Sequence, residues 1–231
     1  DFIKPMATLH KFGKDETLRE GNPSLKQPHY FCLAVDKVRY VGEPVAIVVA
    51  SNPYVAEDAL ELINADFESL PAVVDAEKAL EKDAALLYED WGENAMVKFS
   101  VSGGDVEKAF QEASCVISET IKSSRFTGTP IEPRVVVARY DRTTHLMEVW
   151  DTTQSAHIVV GWIHRAISLP GLRVRVVVTR LGGAFGQKGT HYPEEILIPM
   201  AAYLTNKPVK WVETRSEHMV ATIHSREQVH H

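Results

Sequence analysis

An α+β fold in more than one part is expected for this chain, on three observations. A β-branched run, Val45-Ala-Ile-Val-Val-Ala50, stands immediately before the helix-start signal Ser51-Asn52-Pro53. Two further β-like runs, residues 135–140 and 146–150, flank Asp141-Arg142-Thr143-Thr144, whose residues favour a turn. From residue 146 onward the pattern reads strand, helix, strand, glycine loop, helix, strand. The 231 residues suffice for one large domain or two small ones.

Residues 1–30 are polar and turn-rich, with Gly13, Gly21, Asn22 and Pro23, and read as a long loop. Residues 31–38 read as a strand and residues 45–50 as a buried one. Pro53 at an early helical position, behind the capping residues Ser51 and Asn52, opens a helix to about Asn64. Its apolar face is Ala56, Ala59, Leu60 and Ile63. A strand near residues 65–67, the turn Ser69-Leu70-Pro71 and a short helix over 75–80 complete a first part, residues 1–83. Residues 84–104 form a connector containing Trp91-Gly92 and Ser102-Gly103-Gly104. The second part, residues 105–231, begins with Asp105 capping a short helix over 106–112, then an alternating stretch at 115–121 and a proline-rich loop at 126–133. The hairpin follows. Residues 155–168 are amphipathic, with Ile158, Val159, Trp162, Ile163, Ala166 and Ile167 sharing a face, and Pro170-Gly171 stops them. Residues 173–179 alternate as a strand, the glycine loop comes next, and Pro193 opens a helix with Glu194 and Glu195 in its first turn, where the helix dipole favours acids. Asn206-Lys207-Pro208 ends that helix, and residues 209–212 are a last strand.

Composition narrows the class. A formal charge of −6 and a pI near 5.9 give no basic face for nucleic acid. Cys32 and Cys115 are too few for a disulfide framework, an iron–sulfur cluster or a four-cysteine zinc site, and point to reduced thiols in the cytoplasm. No signal peptide is evident, and no apolar run approaches the ~20 residues of a membrane helix. The chain begins at Asp1 and stops at His230-His231, so it is expected to be a fragment of a longer polypeptide.

The chemistry concentrates around Leu181-Gly-Gly-Ala-Phe-Gly-Gln-Lys188. Small residues let a backbone approach a ligand, and successive amide N–H groups can form an anion-binding nest. The loop is not a Walker loop, because Gln187 and Gly189 stand where glycine and a hydroxyl residue are needed; nor does it contain the Gly-x-Gly of a dinucleotide fingerprint. Acids at 194 and 195 would repel an anion on the helix axis, so a phosphate belongs on the loop amides. A tight ligand-free turn is the competing reading. Phe185, set among glycines, either covers a planar ligand or plugs the local core. Gln154, in Thr152-Thr153-Gln154 at a strand end, either donates and accepts toward a ligand or merely caps a turn. Arg125, Arg134, Lys188, Arg215 and Arg226 are candidates to balance phosphate charge. The histidines lack ligand spacing, so no protein-ligated metal is expected, and without a Gly-x-Ser-x-Gly elbow a serine hydrolase has no support.

Five stretches in order resemble the xanthine oxidase family of molybdenum hydroxylases, which includes aldehyde oxidases and aerobic carbon monoxide dehydrogenases. Val41-Gly-Glu-Pro-Val-Ala-Ile-Val-Val-Ala50 through Leu70-Pro-Ala-Val-Val-Asp75 is similar to the family's hammerhead-type α/β domain. Gly128-Thr-Pro-Ile-Glu-Pro-Arg134, Thr152-Thr-Gln154, Gly182-Gly-Ala-Phe-Gly186 and Pro208-Val-Lys-Trp-Val-Glu-Thr-Arg215 resemble parts of its mixed α/β molybdopterin-binding domain. The resemblance implies that Gly183, Ala184, Phe185 and Gly186 bind the cofactor, with Phe185 beside the molybdenum, and that Gln154 hydrogen-bonds an oxygen-type ligand on the metal. It implies molybdenum-molybdopterin, including the cytosine dinucleotide form, and hydroxylation of an aldehyde, an N-heterocycle or a similar small substrate, or oxidation of CO, with water-derived oxygen. It also implies electron transfer to [2Fe-2S] clusters and FAD on partner subunits or domains. Gly189 replaces the substrate-contacting Glu of purine-oxidising members, which argues against purines. The family's catalytic Glu has no counterpart here, so no catalytic residue is expected in this fragment. The contrasting expectations are a scaffold domain that keeps the fold without cofactor, and a phosphate-binding domain for an ordinary nucleotide.

Overall fold

The computed structural model describes residues 25, 26, 28 and 31–231, so the loop expected over residues 1–30 lies almost wholly outside it. The elements are α1 (Pro53–Leu60), α2 (Val106–Glu112), β1 (Ile121–Ser123), β2 (Val135–Asp141), β3 (Leu146–Asp151), α3 (Ala156–Ala166), β4 (Arg173–Val177), α4 (Glu194–Thr205), β5 (Val209–Val212), α5 (Arg215–Ala221) and β6 (Gln228–His230). Short 3₁₀ turns occupy Lys78–Leu80 and Glu89–Trp91. Two compact units result. Among the described residues, one gathers 31–68 with Thr127–Ser225, and the other gathers 25, 26 and 28 with Ser69–Phe126 and Arg226–His231. The first therefore takes segments from both of the sections, 1–83 and 105–231, expected along the chain.

The first unit is built on a four-stranded sheet in the order β4-β3-β2-β5. β2 and β3 form the expected antiparallel hairpin, in register from Val136↔Asp151 to Asp141↔Leu146. Its turn is closed by Asp141, whose Oδ1 accepts from the Thr143 N–H at 2.8 Å and whose Oδ2 accepts from the Thr144 hydroxyl at 2.8 Å. β5 adds antiparallel to β2. β4 adds parallel to β3, in register from Leu146↔Arg173 to Trp150↔Val177. Parallel neighbours need a crossover, and α3 supplies it. Strand alternation sends Val136, Ala138, Met147 and Val149 to one face, all buried. Onto that face pack the buried residues of α3 (Val159, Trp162, Ile163, Ala166) and of α4 (Ile196, Leu197, Ile198, Ala201, Ala202). Asn206 ends α4 in the left-handed conformation (φ 54°), as its sequence predicts.

The earlier part of this unit departs from expectation. Residues 31–38 and 45–50 make no ladder among the described residues, and Val45, Ile47 and Val49 are about 40% exposed. An apolar run becomes a strand only where a neighbouring strand takes its N–H and C=O groups, and none is paired to it here. Residues 65–67 likewise form no strand. α1 starts where predicted, with Asn52 Oδ1 accepting from the Val55 N–H at 3.0 Å, but ends at Leu60, short of Ile63, and buries none of its residues.

In the second unit Asp105 caps α2 as predicted, accepting from the Lys108 N–H at 3.0 Å. The stretch 115–121 is strand only at its end, where β1 pairs antiparallel with β6, Ile121 opposite His230. Asn94 holds the preceding loops, donating to the carbonyls of Ala79 and Ala85 and accepting from the Leu87 N–H.

The periodicity of α3 can be tested directly. Ile163→Ala should cost about 2–5 kcal/mol, because Ile163 is fully buried. Ile158, expected on the apolar face, is instead 47% exposed at the edge of the helix's first turn, so Ile158→Ala should cost no more than about 0.5 kcal/mol. Urea midpoints of the two variants give the comparison.

Candidate functional site

Because β3 and β4 run parallel as neighbours, their C-terminal ends lie side by side. β3 leads into Thr152-Thr153-Gln154, and the segment after β4 leads into the glycine loop. Strand-end loops of such crossovers are where α/β sheets place ligand groups. The two loops are stitched together through one residue. The Lys188 carbonyl accepts from the Gln154 N–H at 2.7 Å and from the Thr153 hydroxyl at 3.3 Å. The Ser155 hydroxyl reaches the Gly189 carbonyl at 3.4 Å. A Cβ placed on Gly189 would stand 3.3 Å from the Gly186 carbonyl oxygen and 3.4 Å from Gln154 Oε1. The sequence-derived candidates Gln154, Gly183, Ala184, Phe185 and Gly186 are thus brought together, with the Gln154 side chain exposed beside the loop.

The loop backbone is unusual. Gly183, Phe185 and Gly186 have φ of 97°, 51° and 86°. For phenylalanine the left-handed region costs roughly 1–2 kcal/mol. Phe185 is nevertheless 76% exposed, so it does not plug the local core. Its ring crosses the loop instead: a Cβ on Gly183 would meet Phe185 Cε2 and Pro130 Cβ, each at 3.2 Å. The turn is closed from within by the Gln187 N–H on the Ala184 carbonyl and the Gly189 N–H on the Gly186 carbonyl. The N–H groups of Gly183, Ala184, Phe185 and Gly186 have no partner among the described residues, and neither has the Gln154 carboxamide. Four successive free amides, on a backbone where Gly183, Phe185 and Gly186 take positive φ, are the raw material of a nest for an anion or an electron-rich oxygen.

Beneath this loop lies residues 128–134. Glu132 Oε2 accepts from the Gly182 N–H at 2.9 Å and from Lys188 Nζ at 2.6 Å. Arg134 is buried against the Tyr192 ring, 3.6 Å from its centroid, and donates to Glu213 from Nε and a terminal nitrogen at 2.9 and 2.7 Å and to Glu194 at 3.1 Å. Burial opposes the guanidinium charge, yet Glu194 and Glu213 outweigh it and hold its pKa above the usual value. Arg215 donates to the carbonyls of Pro130 and Ile131. His218 Nε2 faces the Gly128 carbonyl at 3.0 Å and its Nδ1 faces Glu213 at 2.8 Å. Tyr192 donates its hydroxyl to the Gln187 carbonyl at 2.6 Å.

This arrangement corrects the candidate phosphate cations. Arg134, Lys188 and Arg215 all donate to groups of the protein itself. It also corrects the role of the acids that open α4. Glu194 is an ion-pair partner of Arg134, and Glu195 is buried. Glu132 lies inside the stretch Gly128–Arg134, but the sequence reading gave it no role, because its partners Gly182 and Lys188 are 50 and 56 residues away. That reading also missed α5, although Thr214-Arg-Ser-Glu217 is a capping-box signal; the structure makes both of its hydrogen bonds.

The scan against protein families matches residues 87–231 to the molybdopterin cofactor-binding domain and residues 12–71 to the a/b hammerhead domain of aldehyde oxidase and xanthine dehydrogenase. The chain belongs to the xanthine oxidase family of molybdenum hydroxylases. The 6-hydroxypseudooxynicotine dehydrogenase complex subunit gamma of Paenarthrobacter nicotinovorans is 41% identical over 86% of the chain and 25% of that protein. The nicotine 6-hydroxylase large subunit of the same organism is 36% identical over 90% of the chain and 25% of that protein. Among solved structures, quinoline 2-oxidoreductase from Pseudomonas putida 86 matches with a TM-score of 0.84 and 32% identity, over 90% of the chain and 26% of its own. The chain spans about a quarter of the length of the curated relatives it matches.

The site fits the family's molybdopterin-bound molybdenum. It offers free amides, a free carboxamide and a backbone kept bare by glycines. Among the described residues no cluster of three or more His, Cys, Asp or Glu could hold a metal ion, and no helix is long and apolar enough to cross a membrane.

Two carboxyls near the site are held unusually. Burial pushes Asp151, at the end of β3, up to about 8, with Glu195 adding to the rise and Arg134 opposing it. Burial also raises Glu195, against the pull of Arg134. One oxygen of each carboxyl lacks a hydrogen-bond partner among the described residues. A raised folded-state pKa stabilises the fold below the ordinary carboxylate range, and that contribution is lost as pH climbs through the folded value. Asp151→Asn, which keeps the neutral form at every pH, should therefore gain stability relative to the native chain between about pH 4 and pH 8. Denaturation midpoints taken across that range check it; a constant difference would remove the assignment.

Proposed function

We propose that this chain forms one wall of the cofactor pocket in the large subunit of a molybdenum hydroxylase acting on an N-heteroaromatic substrate. The observation that carries the reading is the pairing of the free amides of Gly183–Gly186 with the free carboxamide of Gln154, tied together through Lys188. The amides would receive the oxygen-rich end of the cofactor, the Gln154 carboxamide would donate to an oxygen on the metal, and Phe185 would lie across the metal's near side. When bound, the cofactor supplies a two-electron acceptor and a water-derived oxygen. The residues here bind and orient it, and the crossing Phe185 ring excludes water from that side.

N-heterocycles are favoured over purines by the bare backbone at Gly189, since the resemblance places a substrate-contacting Glu there in purine-oxidising members. The substrates named in quinoline 2-oxidoreductase and nicotine 6-hydroxylase support the same class. On this reading residues 1–83 form the hammerhead-type part, 84–104 a connector and 105–231 the first part of the molybdopterin-binding domain, in keeping with the matches at 12–71 and 87–231. The catalytic Glu comes from the rest of the subunit. Iron–sulfur and flavin subunits take the electrons, and the complex works in the cytoplasm.

The whole subunit purified with its partners should contain molybdenum and organic phosphate in near-stoichiometric amounts. It should place ¹⁸O from labelled water into a quinoline- or pyridine-type substrate and leave xanthine untouched. A well-folded complex without molybdenum would sink the proposal. Gly183→Val adds a specific check. The left-handed φ and the 3.2 Å approaches to Phe185 and Pro130 leave no room for a β-branched side chain. The strained φ should cost about 1–3 kcal/mol of stability, and molybdenum per folded complex should fall several-fold beyond that; unchanged molybdenum per folded complex would mark the loop as a purely structural turn.

A further inference from the structure

We infer that Glu132 is the positioning residue that sets the shape of the glycine loop toward the cofactor. The inference rests on the function proposed above and concerns a residue that reading leaves without a role.

A single carboxylate oxygen, Glu132 Oε2, takes the Gly182 N–H at 2.9 Å and Lys188 Nζ at 2.6 Å. These two donors bracket the residues whose amides are free. Both ends of the loop are thereby fixed to one point, and the segment between them has a set span. The contact at Gly182 is close: a Cβ there would stand 2.6 Å from Glu132 Cβ, so only glycine lets the loop reach the carboxylate. A third tie runs from the Ile131–Glu132 side, where the Glu132 N–H donates to the Gly182 carbonyl at 3.3 Å.

The Lys188 side chain is fully buried, so its ammonium has left water and depends on Glu132 for compensation. Burial disfavours the Glu132 carboxylate too, but Lys188 and the Gly182 N–H outweigh that and keep its pKa low. The same Lys188 gives its carbonyl to the Gln154 N–H and the Thr153 hydroxyl. Glu132 consequently governs both halves of the site: the amide cradle directly, and the Gln154 turn through Lys188. Residues 130–131, which precede it, are held in turn by Arg215 on their two carbonyls. The carboxylate therefore acts from a fixed support. The Glu132 side chain is 31% exposed. An ion pair used for stability alone would have no need to share its oxygen with the loop's first amide.

The test uses the whole complex with Glu132→Gln and with the paired variant Glu132→Gln/Lys188→Met, which carries no uncompensated buried charge. Molybdenum content, the Mo(V) paramagnetic resonance signal and kcat per molybdenum are measured on each. Positioning by the carboxylate predicts that Glu132→Gln retains less molybdenum, shows an altered Mo(V) signal and loses about 10- to 100-fold in kcat per molybdenum, since small misplacements of a reacting centre cost that much. The paired variant should regain thermal stability and keep both the altered signal and the low kcat. If the paired variant, or a folded Glu132→Gln, shows the native signal and native kcat per molybdenum, the residue is structural only and the inference fails. If Glu132→Gln does not fold, the paired variant decides alone. A native complex without molybdenum overturns the functional reading instead, so the two failures are distinct.

Discussion

The parallel pairing of β3 with β4 is the constraint on which the site depends. It obliges the chain to cross over through α3, and it sets the two strand ends next to each other. From that single adjacency follow the approach of Gln154 to the glycine loop and the hydrogen bond of its N–H to the Lys188 carbonyl. If β4 instead ran antiparallel to β3, its C-terminal end would emerge at the opposite edge and the loop would lie a strand's length from Gln154. The hairpin partner β2 and the edge strand β5 serve to anchor the pair. β2 and β3 send alternate residues into a core closed by α3 and α4, which makes the register of the whole sheet costly to shift.

Above that frame the site is assembled from buried polar groups, which cost energy unless matched. Arg134 is the main node. Its guanidinium joins α4, through Glu194, to the end of β5, through Glu213, while stacked on Tyr192. Glu213 also faces His218 of α5, and His218 faces the Gly128 carbonyl. The connected groups hold residues 128–134, and those residues hold the loop. Strain at Phe185 and exposure of its ring are tolerated because the surroundings over-determine the loop. Such strain gives reason to seek a ligand there, and the matched polar network gives the means to sustain it.

Legibility in the sequence followed the range of the interactions. Elements set by local chemistry were readable: the caps at Asn52 and Asp105, the Asp141 turn, the amphipathic face of α3 and the stop at Asn206. The glycine loop and Gln154 were readable as separate features; that they meet, through the Gln154 N–H on the Lys188 carbonyl, is a matter of the fold. Elements that need a distant partner were misjudged. Residues 45–50 have the composition of a buried strand and find no ladder among the described residues, while β6 is a strand by virtue of β1 more than a hundred residues away. The largest errors concerned charge. Arg134, Lys188 and Arg215 look alike in sequence to solvated cations, and nothing local reveals that their partners come from segments 56 to 85 residues distant.

The fate of those cations explains why composition was silent on this site. Arg134 and Lys188 are spent on carboxylates, and Arg215 gives one guanidinium nitrogen to main-chain carbonyls. The loop itself offers neutral groups: four amide N–H groups and, beside it, the Gln154 carboxamide. Neutral dipoles held rigidly favour a ligand by geometry, whereas mobile ammonium groups would favour any anion within reach. A net charge of −6 would then be no obstacle to the proposed cofactor site, because the attraction would come from oriented backbone dipoles and not from the overall field. On the proposed reading, the specificity of the pocket would rest on the positions of these groups, and hence on Glu132, Lys188 and the paired strand ends that hold them there.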